Sequence, residues 1–142
     1  MLNPSTADAL LDDPTIRRCL NFAAREDCGR LIVVNLFTFR SAYPKDLIEA
    51  HDPVGPDGDT ALEHAAHCLR SDEASRVIFG WGSVSGPKWF RTMYKDRVEK
   101  AISVFENIRA PQCFVVNKDG SPKHPLYVAN DKPLRAFPVG GK

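Results

Sequence analysis

A single asparagine, Asn35, directly follows the apolar run of residues 31–34. Four consecutive apolar residues of this kind are typical of a strand that is buried on both faces. In open parallel sheets, ligands bind outside the carboxyl ends of the strands, so a side chain at this point is well placed for binding. An amide offers one acceptor and two donors, which suits the edge of a nucleobase. The alternative interpretation is that Asn35 only caps the following loop.

Three other polar side chains lie in tight turns or at predicted strand ends, namely Asn3, Ser5 and His124. Three aspartates lie close to the first turn in the sequence: Asp8, Asp12 and Asp13. Right-handed crossovers place the loops that follow parallel strands on one edge of a sheet. We therefore expect Asn3, Ser5, Asn35 and His124 to converge at that edge.

The elements that must position these residues alternate along the chain, with strands predicted at 31–37, 77–82 and 113–117. Asp13 and Pro14 supply an N-cap followed by proline at the first helical position, which predicts a helix start. Two further helices with apolar faces are expected between the strands. This order predicts an α/β fold, a three-layer α/β/α arrangement with a mainly parallel central sheet.

The first turn, Asn3-Pro4-Ser5-Thr6, has no predicted element before it. Such a turn normally follows a strand, so we expect that a first strand precedes it and is lacking from this sequence. Residues 1–142 are predicted to form a single domain, with 130–142 as an irregular tail because that stretch shows no periodicity.

Composition bounds the class of protein. The chain has 142 residues, 43% hydrophobic and 26% charged, with a net charge of +1, so no global field attracts it to nucleic acid. It has neither an apolar run of about 20 residues nor a secretory leader, which predicts a cytoplasmic protein without membrane contact. No CxxC pair and no standard enzyme signature is present, so neither a metal site nor a cofactor is predicted.

Short motifs are spread over nearly the whole chain, at residues 1–9, 12–19, 34–37, 52–56, 81–82 and 124–127. Together they are similar to an uncharacterised bacterial and phage family, domain of unknown function 1643 (DUF1643). Members of that family usually carry at least one strand before the first motif, which agrees with the expectation of a lacking first strand. The family resemblance itself implies no chemistry.

Four blocks also resemble the uracil-DNA glycosylase superfamily, in the same order along the chain: residues 2–5, 33–40, 78–82 and 124–126. They are similar to its Asn-Pro-Ser turn, the strand that ends in the uracil-reading Asn, its Leu-Leu-Trp-Gly strand and its His-Pro-Ser-Pro loop. This resemblance implies a uracil-DNA-glycosylase-like fold. It also implies DNA or a nucleotide as the partner.

The same resemblance implies roles for the matched residues. Asn3 and His124 would be catalytic, with Asn3 holding the attacking water and His124 donating a hydrogen bond to the base oxygen. Asn35 would pair with the base edge, and Leu126 or Tyr127 would wedge the duplex open so that the base can flip out. The remaining substrate contacts would come from Ser5, Phe37, Arg40 and Trp81.

Three departures from the glycosylase pattern leave the activity open. Leu2 replaces a glycine, the serine of the His-Pro-Ser-Pro loop is absent, and no residue matches the water-activating aspartate. Asn3 cannot act as a base. The sequence thus supports three functions: an N-glycosidase on modified or mismatched bases, a non-catalytic nucleotide or nucleic-acid binding domain, and a structural or assembly protein.

Overall fold

The computed structural model describes residues 1–6 and 13–139. Within these residues the chain forms four α-helices and two short strands. The helices are α1 (Pro14–Arg25), α2 (Asp46–Glu49), α3 (Gly58–Arg70) and α4 (Lys88–Phe105). The strands are β1 (Gln112–Cys113) and β2 (Arg135–Ala136), and a 3₁₀ turn covers Pro125–Tyr127.

The predicted three-layer α/β/α fold with a mainly parallel central sheet is wrong. In the described ranges most of the regular structure is helical, and the one sheet consists of β1 and β2. These strands pair antiparallel, with Gln112 opposite Ala136 and Cys113 opposite Arg135. The predicted strands 31–37 and 77–82 do not join a sheet.

The backbone hydrogen bonds of residues 31–37 and 77–82 explain why these two runs form no sheet. On one run, the Met1 amine donates to Val34 O at 2.9 Å and Leu36 N donates to Met1 O at 3.0 Å. The second run forms an isolated parallel bridge between Ile78 and Gln112. A cavity of about 370 Å³ is lined by both runs, and they do not pair with each other. Both runs therefore contain apolar, strand-forming residues, but among the residues that the structure describes no backbone pairs with them to form a sheet.

The helix start at Asp13 is present as predicted. Asp13 Oδ1 accepts from Thr15 N at 2.8 Å and from Ile16 N at 3.3 Å, and Pro14 is the first helical residue. These bonds satisfy backbone donors that a helix cannot pair internally. Asp13 is thereby fixed at the start of α1, beside the first turn of the chain.

The main core packs α3 and α4 against the extended runs. Phe37 is fully buried and stacks on Phe90 of α4, with ring centroids 5.9 Å apart. Arg97 of α4 is also buried, and its Nε donates to Leu36 O at 2.7 Å. Phe137 packs against Trp81 at 5.8 Å, so the stretch predicted as an irregular tail contributes both β2 and a core residue.

A second, smaller core cluster attaches α1 to the 3₁₀ turn. It is formed by Phe22, Phe114 and Val128, and the two rings lie 4.2 Å apart. The Arg18 guanidinium lies over the Phe22 ring and donates to Val128 O. This packing holds the turn that begins after His124 against the first helix.

No helix in the described part of the chain combines the length and the apolar character needed to span a membrane.

Candidate functional site

The first turn is held in place by the side chain of Asn3. Its Nδ2 donates to Ser41 O at 2.9 Å, to Pro4 O at 3.2 Å and to Phe39 O at 3.3 Å. An amide nitrogen has two protons, so these three carbonyl groups occupy its full donor capacity. The Asn3 nitrogen therefore ties residues 3–5 to residues 39–41 and is not available to hold a water or a substrate.

Ser5 and Asp13 form a hydrogen-bonded pair next to this turn. Ser5 Oγ donates to Asp13 Oδ2 at 2.7 Å, and Arg40 Nε donates to Ser5 O at 3.3 Å. Burial acts to raise the pKa of Asp13, but the bonds from Ser5, Thr15 and Ile16 outweigh it and hold that pKa below its usual range. Asp13 is therefore an anionic acceptor at neutral pH.

His124 lies half-buried at the start of the 3₁₀ turn. Its Nδ1 accepts from Leu126 N at 3.4 Å, which places the proton of the neutral ring on Nε2. Burial lowers the pKa of His124, the Met1 amine lowers it further, and Asp13 opposes both. The imidazole is therefore neutral at pH 7 and presents Nε2–H as a hydrogen-bond donor.

Two glycines allow the second extended run to pass close to His124. Gly82 has a φ of +78°, and a Cβ on it would lie 3.4 Å from the Cβ of His124. A Cβ on Gly80 would lie 2.9 Å from Pro125 Cδ, closer than real Cβ contacts come. Because Gly80 and Gly82 carry no side chains, their backbone can pack directly against Pro125 and His124.

Asn35 is the residue with which the backbone of Met1 is paired. The bonds between Met1 and residues 34 and 36 place Met1 opposite Asn35, as in a parallel ladder. Asn35, Met1 and Pro125 line the same cavity. Within the described residues, the Asn35 side chain forms no hydrogen bond, so its amide remains open to a ligand.

The aromatic residues predicted to contact substrate divide into two groups. Phe37 and Trp81 are 0% and 3% exposed and belong to the core, and Trp81 also lines the cavity that Asn35 lines. Leu126 and Tyr127 are 36% and 69% exposed on the 3₁₀ turn. The Tyr127 ring lies 5.8 Å from the His124 ring, which places an exposed aromatic face beside the imidazole.

The structure thus pairs Met1 with the backbone on either side of Asn35 and binds Ser5 to Asp13. The charges of Asp13 and of the Met1 amine both act on His124. The sequence predicted Asp13 as a helix cap and noted it close to the first turn, and the cap at the start of α1 does bring its carboxylate to Ser5 of that turn. Asp8 and Asp12, the other two aspartates noted in the sequence, lie outside the described residues.

A further polar cluster was not found from the sequence. Asn117 Nδ2 donates to Ser83 Oγ at 3.1 Å and to Ser121 Oγ at 3.0 Å, and Ser121 Oγ donates to Asp119 Oδ1 at 2.6 Å. These groups bind one another and hold the loop after residue 82 against the turn at 117–121. Over residues 1–6 and 13–139, no group of three or more His, Cys, Asp or Glu side chains is arranged to hold a metal ion.

Comparison with known proteins identifies the family. A family model described as "Protein of unknown function (DUF1643)" matches residues 1–126. No match is found among curated proteins or among solved structures. The comparisons support the family resemblance drawn from the motifs, and they give no support to the resemblance with uracil-DNA glycosylases. The chain belongs to the DUF1643 family.

Proposed function

We propose that this protein binds a nucleobase, in a nucleotide or in nucleic acid, at the site formed by Asn35, Asp13 and His124. The observation that carries the proposal is the unpartnered amide of Asn35, a residue that lines the same cavity as Met1 and Pro125. A half-buried amide that the fold does not use for itself is open to a ligand that supplies both a donor and an acceptor.

The neighbouring groups complete the chemistry of a base-binding site. His124 presents an uncharged Nε2–H donor, which suits a base carbonyl oxygen, and ionised Asp13 offers an acceptor for a ring N–H or an amino group. The exposed ring of Tyr127 beside His124 provides a face on which a flat heterocycle can stack. A planar ligand with mixed donors and acceptors fits this combination better than an apolar or a purely anionic ligand does.

Binding without turnover is better supported than glycosidic hydrolysis. Asn3, to which the glycosylase resemblance assigns the attacking water, donates to three backbone carbonyls. Asp13 accepts from Ser5 and from two backbone N–H groups of α1. The Asn3 nitrogen and most of the acceptor capacity of Asp13 are therefore used to hold the fold, and Asn3 cannot act as a base.

The proposal is tested by titrating the protein with a panel of nucleosides, nucleotides and short single-stranded oligonucleotides, followed by calorimetry or by amide shifts. Asn35→Asp keeps the shape but replaces donors with acceptors. It should weaken binding about tenfold or more, the equivalent of one lost hydrogen bond. Asn107→Asp makes the same chemical change at an exposed position and should leave the affinity unchanged.

Two results would count against the proposed function. The first is the absence of saturable binding to any member of the panel, and the second is an Asn35→Asp protein that binds as tightly as the parent. Release of free base from an oligonucleotide, lost in His124→Ala, would instead show that the site hydrolyses its ligand.

A further inference from the structure

Two aromatic side chains outside the base-binding site are exposed to solvent. Tyr43 is 63% exposed and Trp89 is 52% exposed. The Trp89 ring lies 5.9 Å from the ring of Phe90, which is buried, so the exposed indole is supported by the core. Large aromatic side chains contribute most to stability when they are buried. Exposed rings beside positive charges are typical of surfaces on which the bases of a single nucleic-acid strand stack.

Each of the two rings has positively charged side chains beside it. Lys45 Nζ lies 5.7 Å from the centre of the Tyr43 ring. Trp89 follows Lys88 in the first turn of α4, and Arg91 of the same turn donates a hydrogen bond to the loop before the helix. All three cations are exposed. Cations of this kind bind phosphate groups, and they lie next to rings on which bases can stack.

The short helix α2 brings the two groups of residues together. Asp46 N donates to Tyr43 O, so the turn that carries Tyr43 leads directly into α2. Ile48 of the same helix packs against Gly86, because a Cβ on that glycine would lie 3.1 Å from Ile48 Cδ1. The turn at residue 43 and the start of α4 therefore lie side by side. We use the term basic aromatic surface for Tyr43, Lys45, Lys88, Trp89 and Arg91.

The basic aromatic surface begins next to the base-binding site. Ser41 N donates to Pro4 O at 3.0 Å, and Ser41 Oγ accepts from Tyr43 N at 2.9 Å. Ser5, the next residue of the same first turn, donates to Asp13 of the base-binding site. Residues 41–43 therefore lead from the turn that contacts Asp13 to the first exposed ring.

The positive charge of this surface is a local property, because the whole chain carries a net charge of only +1. Residues 82–95 contain two lysines, one arginine and no acidic residue, whereas residues 49–73 contain seven acidic residues and one arginine. Within α3, Asp59 pairs with Arg97 and Lys100, which lie in the second half of α4. These ion pairs leave the first turn of α4 positively charged.

Two acidic residues lie on α2, next to the surface. Asp46 accepts a hydrogen bond from Ser41 Oγ, and Glu49 is exposed at the last position of the helix. Three exposed cations outnumber this one exposed carboxylate. The surface therefore has a net positive charge, which attracts a polyanion.

We propose that the basic aromatic surface binds the nucleotides next to the recognised base, so that the ligand is a single strand of nucleic acid and not a free nucleotide. This inference rests on the proposed function and specifies its ligand. Flanking bases stack on Tyr43 and Trp89, while Lys45, Lys88 and Arg91 contact the phosphates. The bases of a duplex are already stacked on one another, so a duplex cannot use the two rings.

A lipid surface is the other partner that exposed aromatic residues and cations can indicate. A segment that binds lipid has a broad apolar face that enters the bilayer interface. Here each ring lies directly beside a cation, and the surface is continuous with a site suited to a planar ligand with donors and acceptors. Both features favour a nucleic-acid strand over a membrane.

The test compares oligonucleotides with mononucleotides of the same base. The probes are DNA and RNA homo-oligomers of about twelve nucleotides, the corresponding mononucleotides, and a DNA duplex of equal length. We expect the single strands that carry the preferred base to bind at least about tenfold more tightly than their mononucleotide. The chain has two tryptophans, and Trp81 is buried, so a base that stacks on Trp89 should quench the exposed fluorescence.

Two variants separate stacking from charge, and each has a matched control at an exposed position elsewhere. Trp89→Ala should weaken oligonucleotide binding about tenfold, whereas Leu20→Ala should not. Lys88→Gln should lower the slope of log affinity against log salt by about 0.7, the value for one phosphate contact on a single strand. Arg70→Gln should leave that slope unchanged. Because Lys88 and Trp89 are exposed, the parent Tm is expected in both variants, and either variant tests the surface if the other does not fold.

Three outcomes would overturn this inference. The first is that oligonucleotides bind no more tightly than mononucleotides, or bind the Trp89→Ala protein as tightly as the parent. The second is that a duplex binds as tightly as the single strand, which would show that the rings are not used. The third is that vesicles containing anionic lipid bind the parent but not the Trp89→Ala protein, while oligonucleotides do not bind, which would assign the surface to a membrane.

Failure of the proposed function gives a different result. If the base-binding site is wrong, Asn35→Asp leaves the affinities for both mononucleotides and oligonucleotides unchanged. If the site is right and the basic aromatic surface is wrong, Asn35→Asp weakens both ligands, and Trp89→Ala does not change the ratio between their affinities. The two variants therefore separate the base-binding site from the surface that flanks it.

Discussion

Acetylation of the Met1 amine should remove a defined part of the pH dependence of stability. Burial lowers the pKa of this amine from 8.0 to about 6 in the folded chain. In that interval the unfolded chain binds the proton and the folded chain does not, so the free energy of unfolding rises with pH between them. The free-energy cost of burying the charged amine is absent above pH 8. It reduces the stability by its full amount below the pKa of the folded chain.

The magnitude follows from the two pKa values. A fall from 8.0 to about 6 corresponds to roughly a hundredfold loss of proton affinity. The free chain should therefore lose roughly 2 kcal/mol more stability than the acetylated chain when the pH is lowered from 8.5 to 5.5. Acetylation leaves a peptide-like N–H that can still donate to Val34 O, so the bond itself is retained.

The assay is urea unfolding of the acetylated and free chains at pH 8.5 and pH 5.5, with stability taken from linear extrapolation. The comparison cancels the carboxylates. Acetylation also removes the part of the lowering of the His124 pKa that the amine causes, and this changes the pH dependence of stability in the same direction. If the free and acetylated chains lose the same stability over this interval, the amine is solvated in the folded state. The parallel pairing of Met1 with Asn35 would then be refuted along with it.

Three further predictions concern Arg97, Asp13 and His124, the hydrogen bonds that they form and their charge states. Arg97→Met should cost about 2 kcal/mol in urea unfolding because Leu36 O loses a charged donor, and an unchanged stability would refute this. Asp13→Ala should cost about 1 kcal/mol at pH 7 through the lost helix cap. Because the pKa of Asp13 is lowered, its stabilisation is present above 3.8 and declines as pH falls through the folded pKa, so the difference should shrink toward pH 3. In NMR titration His124 should have a pKa below 6.5 with the neutral proton on Nε2, and a higher midpoint or a proton on Nδ1 would contradict the assigned hydrogen bond.

Features encoded by neighbours in sequence could be predicted. The Asp13 cap, the proline that follows it and the apolar faces of α3 and α4 depend on contacts within one or two helical turns. The helix expected between the last two predicted strands is observed as Lys88–Phe105. Local patterns of this kind need no knowledge of distant partners.

The sheet could not be predicted because its formation depends on partners elsewhere in the chain. Residues 31–34 are apolar enough for a buried strand, yet Ile32 is 43% exposed and forms no backbone hydrogen bond to another described segment. The same limit applies to the site. Asn3 and Asn35 are both amides beside strand-like runs, and only their tertiary contacts show that Asn3 is committed to backbone carbonyls while Asn35 is open.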